Sequence, residues 1–452
     1  MTGKGITRRG FVGAVGATAG SAALLGSAGI SAAIGPNDKV RIGLIGAGSR
    51  GNQVLKTFLD NAEVDCLAVA DVDDQHASDT ADTIEKRRGQ RPKVGRDYRA
   101  MLDDKNIDAV VVATPDHWHC LPAIHGVLAG KDVYVEKPVG HSVAEGQAMI
   151  RAARKTEKIM AVGTQQRSSD HFRQAVEAVR SGKIGDVFWA QTWNFENISP
   201  GGMGDYPDGP APAHLDYDRW LGPAPKRAYN ANRCHLLFRW YFDYAGGMMS
   251  DWGVHLNDIV LWALDVPAPK SVYATGGIMT TKDGRDTPDT LQVNYELPGC
   301  MLTYSMRKGN GLSFLNRGYG ILFCGTNGSL VLDRSGYEII PDKTTVPYGI
   351  AGVHPEIKAR PIELKAETVK GKDDGQPAHI KNFLQCLSTR ERPNADIEVG
   401  HRSTNTCHLG NISYKLGRKL TWDAATETFP GDREANALLI REPRKGYELP
   451  EV

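Results

Sequence analysis

The chain has 452 residues, with 54 basic and 53 acidic side chains and a formal net charge of +1. That balance provides no field for wrapping nucleic acid or coating an anionic membrane. With a leader set aside, about 420 residues remain, more than one core holds, so two domains are expected.

The leader begins with Thr7-Arg8-Arg9-Gly10-Phe11, a twin-arginine pattern, and continues from Gly10 to Asn37 without a charged residue. This stretch is rich in Ala and Gly and too weakly apolar for a stable membrane span. The small residues Ser31-Ala32-Ala33 suit cleavage, so residues 1–33 read as a signal that sends a folded protein to the periplasm or beyond. Seven scattered cysteines without a CxxC pair specify neither a disulfide framework nor a thiolate metal site.

Residues 38–163 read as an α/β domain with a parallel sheet. The apolar run 40–45 leads into Gly46-Ala47-Gly48-Ser49-Arg50-Gly51 and then a helical pattern carrying Val54, Leu55, Phe58 and Leu59. In such a strand, turn and helix, Gly46 permits the turn and Gly48 lets the backbone approach a pyrophosphate at the helix N-terminus. Gly51 lets helix and strand pack closely. The next run, Val64 to Ala70, ends at Asp71, 20 residues after Gly51, where a carboxylate suits the ribose hydroxyls of NAD. Asp73 and Asp74 add charge that disfavours NADP, and Asp71 is equally suited to capping the following helix.

The run 107–113 is a buried strand that ends in Thr114-Pro115-Asp116-His117-Trp118-His119. Ligands collect at the carboxyl ends of such strands, so this loop is expected to face the cofactor. Val133-Tyr134-Val135 followed by Glu136-Lys137-Pro138 repeats the pattern, and Met160-Ala161-Val162 leads to Gln165. Cofactor contacts are thus expected from Gly46, Gly48, Ser49, Arg50, Gly51, Asp71, Thr114, Pro115, His117, Trp118, His119, Glu136, Lys137 and Gln165. The His117/His119 pair lacks further ligands nearby, so no metal is assigned there; His119 is also placed to cap the next helix.

Residues 164–452 lose the strand and helix alternation. Strand candidates at 187–193, 271–275, 290–297, 300–306, 320–324 and 329–332 predict a mostly antiparallel sheet. Asn327-Gly328 signals a hairpin through positive φ. A Gly- and Pro-rich loop at 198–214 has the character of a lid or surface arm. From Gly246 onward, steps of three and four residues place Asp251, His255, Asp258 and Trp262 on one helical face. Two carboxylates and an imidazole on one stripe suit proton transfer, although Asp251 also suits an N-cap and His255 a satisfied core position. Arg239, Trp240 and Tyr241 precede this segment and suit a sugar pocket, or equally a core. Arg402 and His408 lie in a C-terminal portion that carries no legible chemistry.

The Gly46–Gly51 turn, Thr114-Pro115, Glu136-Lys137-Pro138 and the Asp251-x-x-x-His255 pair after Gly246-Gly247 together resemble the Gfo/Idh/MocA oxidoreductase family from about residue 38 to the C-terminus. The resemblance implies an NAD-binding Rossmann domain, an α/β domain whose open sheet forms dimers or tetramers, and a sugar or polyol held between them. It implies Lys137, Asp251 and His255 as the catalytic trio, with His255 accepting a hydroxyl proton, Lys137 stabilising the alkoxide, Asp251 orienting the substrate, and Pro138 cis. An exported enzyme of this kind would keep its NAD bound and regenerate it. Two other readings stand beside that of a sugar oxidoreductase. One is an NAD-dependent glycosidase resembling glycoside hydrolase family 109, which oxidises C3, eliminates the aglycone and adds water, but lacks the Glu-Lys-Pro and Asp-x-x-x-His combination. The other is a sugar sensor without catalysis, which need not keep all three residues.

Overall fold

The computed structural model describes residues 39–346 and 350–452; the expected twin-arginine leader lies outside them. Strands β1 (Val40–Ile45), β2 (Val64–Ala70), β3 (Lys93–Gly95), β4 (Ala109–Val112), β5 (Asp132–Val135) and β6 (Met160–Val162) form a parallel sheet in the order β3-β2-β1-β4-β5-β6. β4 to β6 are buried at every position; their residues are apolar except Asp132 at the head of β5, whose carboxylate is paired with Arg390. The strand order reverses between β1 and β4, which is where an open α/β sheet offers a crevice. At that point Gly46 has φ +91°, and a Cβ there would meet the Ala113 carbonyl at 2.7 Å; a Cβ on Gly51 would lie 2.0 Å from Gly46 O. Only glycine satisfies both positions.

Nine strands form the second sheet: β7 (Val187–Phe195), β8 (Ser271–Gly277), β9 (Thr290–Leu297), β10 (Cys300–Arg307), β11 (Tyr319–Gly325), β12 (Gly328–Asp333), β13 (Gly336–Pro341), β14 (Glu367–Lys370) and β15 (Leu420–Thr421). Their order is β14-β13-β12-β11-β7-β10-β9-β8-β15, antiparallel throughout except for the β7–β10 pair. The β11–β12 hairpin forms at Thr326-Asn327, but neither Asn327 nor Gly328 takes a positive φ. Gly328 is needed for a different reason, because a Cβ there would meet Ile340 O at 2.5 Å. Helices Asp170–Arg180, Gly253–Leu264 and Ile397–Leu416 cover one face of this sheet. The other face carries Tyr273, Met301 and Ile340, which are 42%, 52% and 46% exposed.

Residues from the last part of the chain close the first core. Ile380, Phe383 and Leu387 of helix Gln376–Thr389 pack with Phe58 and Tyr134, the Phe58, Tyr134 and Phe383 rings meeting edge to face at 5.6–5.9 Å. Among the described residues, no helix is long and apolar enough to cross a membrane.

The expected helical stripe is broken. Helix Gly247–Asp251 ends at Asp251, and Gly253–Leu264 starts anew after Trp252. Asp258 is fully buried and takes a bidentate pair from Arg167, at 2.7 and 2.9 Å, with Trp262 lying against the guanidinium at 5.0 Å. Asp258 and Trp262 therefore support the fold and stand apart from Asp251 and His255. Replacing Arg167 with Ala leaves a buried carboxylate unpaired, so urea denaturation is expected to show a loss of about 3–5 kcal/mol.

Candidate active site

A cavity of about 880 Å³ opens at the carboxyl ends of β1, β2, β4 and β5, within the range of about 300–1,000 Å³ usual for ligand sites. Its wall takes in Gly46, Gly48, Ser49, Arg50, Asp71, Thr114, Pro115, Trp118, His119, Glu136, Lys137, Gln165, Arg239, Asp251 and His255. These positions come from both parts of the chain, and all were expected from sequence.

The Gly46 turn is tied to Asp71. Ala47 N–H donates to Asp71 Oδ2 at 2.6 Å, and Asp73 N–H donates to Oδ1 at 2.9 Å. Asp73 also caps helix Asp74–Arg88, and Asp74 pairs with Arg96, so Asp71 is the carboxylate of this group on the cavity wall. Arg50 lies 2.8 Å from Glu136 and donates to Gln376 Oε1 at 2.7 Å. Burial opposes the Arg50 charge, but Glu136 raises its pKa above the ordinary range.

The residues fit an NAD molecule. A Cβ on Gly48 would meet nothing within 4 Å, which marks open space beside the turn. Thr114 Oγ1, Gln165 Oε1 and His255 Nδ1 are buried without a hydrogen-bond partner on the wall. Such atoms are costly unless a ligand or water completes them.

Lys137 and Asp251 meet across the cavity. Lys137 Nζ donates to Asp251 Oδ1 at 2.8 Å and to Asp251 O at 2.9 Å, and Arg239 Nη1 donates to Oδ2 at 3.2 Å. Burial would raise the Asp251 carboxyl, but Lys137 and Arg239 overcome it and hold the pKa below the usual carboxylate range. His255 is pushed well below its ordinary value, first by burial and then by Lys137, Arg334 and Arg50, with Asp251 offsetting only part. Its imidazole is therefore neutral at neutral pH, with Nδ1 unpartnered. The Lys137–Pro138 peptide is cis, as the family resemblance implied.

Four expected residues fall off the wall. Gly51 serves packing alone. His117 is sandwiched by Trp220 and Tyr244, with ring centroids 5.2 Å away, and its Nε2 lies 2.9 Å from Trp220 O. Burial pushes its pKa down to about 3. Trp240 lies under the Arg285 guanidinium at 4.1 Å and Tyr241 under Arg233 at 5.7 Å, both rings buried in the core. The 3-10 segment His235–Trp240 instead turns Leu236, Phe238 and Arg239 to the cavity. His119 stays on the wall at the N-cap position of helix Cys120–Leu128, but its side chain makes no capping bond; its Nδ1 and Nε2 lie 2.6 and 2.8 Å from Pro138 O and Thr114 O.

Sequence reasoning missed Asp116, Arg334, Asp374 and Tyr447 on the same wall. Asp116 stood in the loop after β4, which was the available signal. The other three arrive from distant segments. Burial pushes the Asp116 pKa up to about 7, with Lys137 lowering it and Asp251 raising it. The folded chain thus holds the proton at pH values where the unfolded chain has lost it. Stability from this group is complete below about pH 4 and falls as pH rises to about 7. Asp116→Asn removes the titration, so its thermal midpoint relative to the parent is expected to rise between pH 4 and 7 and stay level above that range.

Residues 40–164 match an oxidoreductase family with an NAD-binding Rossmann fold, and residues 184–326 and 351–449 match the family's C-terminal alpha/beta domain. A glycosyl hydrolase family 109 protein of Akkermansia muciniphila is 27% identical over 160 residues, 34% of this chain and 33% of that protein. An alpha-N-acetylgalactosaminidase of Shewanella oneidensis is 33% identical over 123 residues, 26% of this chain and 27% of that protein. The chain spans about a third or less of the length of these relatives. Its fold is similar to levoglucosan dehydrogenase in complex with NADH and levoglucosan, with a TM-score of 0.64 and 15% identity over 85% of this chain and 99% of that one. The WlbA dehydrogenase of Bordetella pertussis, in complex with NADH and UDP-GlcNAcA, gives a TM-score of 0.60 and 19% identity over 85% and 99%. With both of its domains matched, the chain belongs to the Gfo/Idh/MocA oxidoreductase family.

Proposed function

We propose that this protein is an exported oxidoreductase that keeps NAD bound and oxidises or reduces a ring hydroxyl of a sugar, glycoside or polyol. The observation that carries the reading is a neutral, unpartnered His255 beside the Lys137–Asp251 pair, in one cavity with the Gly46 turn. NAD, when bound, supplies the carbon that exchanges a hydride with the substrate. His255 takes the hydroxyl proton, which its neutral ring has the lone pair to do. Lys137 spends two of its three donors on Asp251 and has one for the substrate oxygen as negative charge grows there. Asp251 holds Lys137 and Arg239 in place and aligns neighbouring hydroxyls. Asp71 favours NAD over NADP, because a 2′-phosphate would meet its carboxylate.

The similarity to family 109 proteins supports a second reading, a glycosidase that oxidises its substrate only transiently. The test is to purify the mature chain without added cofactor and follow the reduced-nicotinamide absorbance while sugars and glycosides are added. Lasting reduction supports the dehydrogenase, whereas aglycone release without it supports the glycosidase. Absence of bound nucleotide overturns both. His255→Ala and Lys137→Ala are each expected to lower turnover about 10²–10⁴-fold while leaving bound NAD in place; near-normal turnover in both overturns the trio.

The outward Tyr273, Met301 and Ile340 support a homodimer or homotetramer formed through the open sheet face. Met301→Glu combined with Ile340→Glu is expected to reduce the light-scattering mass to that of one chain without changing the NAD content.

A further inference from the structure

Beside Asp71, three histidines from three segments surround one carboxylate. Asp73 is 2% exposed, and its Oδ1 caps helix Asp74–Arg88 by accepting from the Gln75 and His76 amides. Its Oδ2 lies 3.2 Å from His235 Nε2 and 3.6 Å from His214 Nε2. The His76 and His235 rings are 4.6 Å apart, and one ligand atom from each of Asp73, His76 and His235 lies within 4.8 Å of the others. The backbone fixes the arrangement: Asp74 N–H donates to His214 O and Asp216 N–H to Val72 O, both at 2.9 Å. His235 is held at φ +49°, a conformation uncommon for a residue with a side chain.

Hydrogen bonding alone accounts poorly for this grouping. One carboxylate oxygen serves two imidazoles, and the third imidazole lies ring to ring with one of them, so protonating the set would bring like charges together. A divalent cation turns the same atoms into ligands. Tetrahedral zinc at about 2.0–2.1 Å from each donor needs ligand atoms roughly 3.4 Å apart. The His235 and His214 side chains, 41% and 51% exposed, have room to turn and close the remaining distance. Imidazole and carboxylate donors suit zinc and its transition-metal neighbours rather than calcium or magnesium.

We propose that Asp73, His76 and His235, with His214 as fourth ligand, form a site for a divalent transition metal that clasps the residue 214 and 235 segments to the turn after β2. His76 and His235 line the same cavity as Asp71, so the clasp closes that part of the wall. A slower release of NAD follows from it, and this consequence alone rests on the cofactor reading above.

The test uses the untagged chain, stripped with a chelator and titrated with zinc by calorimetry and with cobalt by visible absorption. One equivalent of zinc per chain and a tetrahedral cobalt spectrum are expected. His76→Ala and His235→Ala are expected to weaken zinc binding about a hundredfold or more, and His214→Ala less. The absence of stoichiometric binding, an octahedral cobalt spectrum, or affinity unchanged in both His76→Ala and His235→Ala overturns the proposal. NAD release from the zinc-loaded chain, followed by fluorescence, is expected to accelerate when the chelator is added. A chain that binds zinc in this way but never NAD leaves the metal site standing and overturns the cofactor reading.

Discussion

One ion pair organises the centre of the molecule. Lys137 follows β5 of the parallel sheet, and Asp251 ends the short helix before the covering helix of the second sheet, so their contact at 2.8 Å joins the two halves inside the cavity. Each side chain is mostly buried, each charge offsets the cost of burying the other, and Arg239 adds a second cation to Asp251. Burial sets the neighbouring protonation states, and this pair adjusts them. Lys137 adds to the burial that keeps His255 neutral, whereas at Asp116 it opposes the upward shift that burial, joined by Asp251, imposes. An imidazole ready to take a proton and a carboxyl that burial inclines to keep its own thus stand beside one ion pair.

The parts of this arrangement that were legible in sequence are those governed by short-range constraints. Gly46 and Gly51 were legible because a backbone clash forbids any side chain at either position. β4 and the Val133–Val135 run of β5 were legible because a strand covered on both faces is mostly apolar. Asp251 and His255 were found for a partly mistaken reason. They share the cavity although a helix break at Trp252 separates them, and Asp258, which continued the stripe, points to Arg167.

The failures have a common cause. His117, Trp240 and Tyr241 carry rings that suit a pocket and a core equally well, and the choice was made by Trp220, Arg285 and Arg233, which come from other segments. The long loop at 198–214, with the character of a lid or surface arm, ends at His214, whose carbonyl accepts from Asp74 N–H in the turn after β2, a bond between distant segments. Asp116 acquires its altered acidity only once the assembled fold buries it. Such properties belong to assembled neighbours, and no local spacing encodes them.

The helix Gln376–Thr389 also sets the order in which this chain matures. Its Ile380, Phe383 and Leu387 complete the apolar core behind the first sheet, against Phe58 and Tyr134. A ribosome delivers the Gly46 turn early, but the core that braces it is still open until the segment near residue 387 has emerged. The nucleotide-binding half is therefore begun early and closed only after most strands of the second sheet have been made. Its ability to hold a cofactor thus depends on a segment made long after the Gly46 turn.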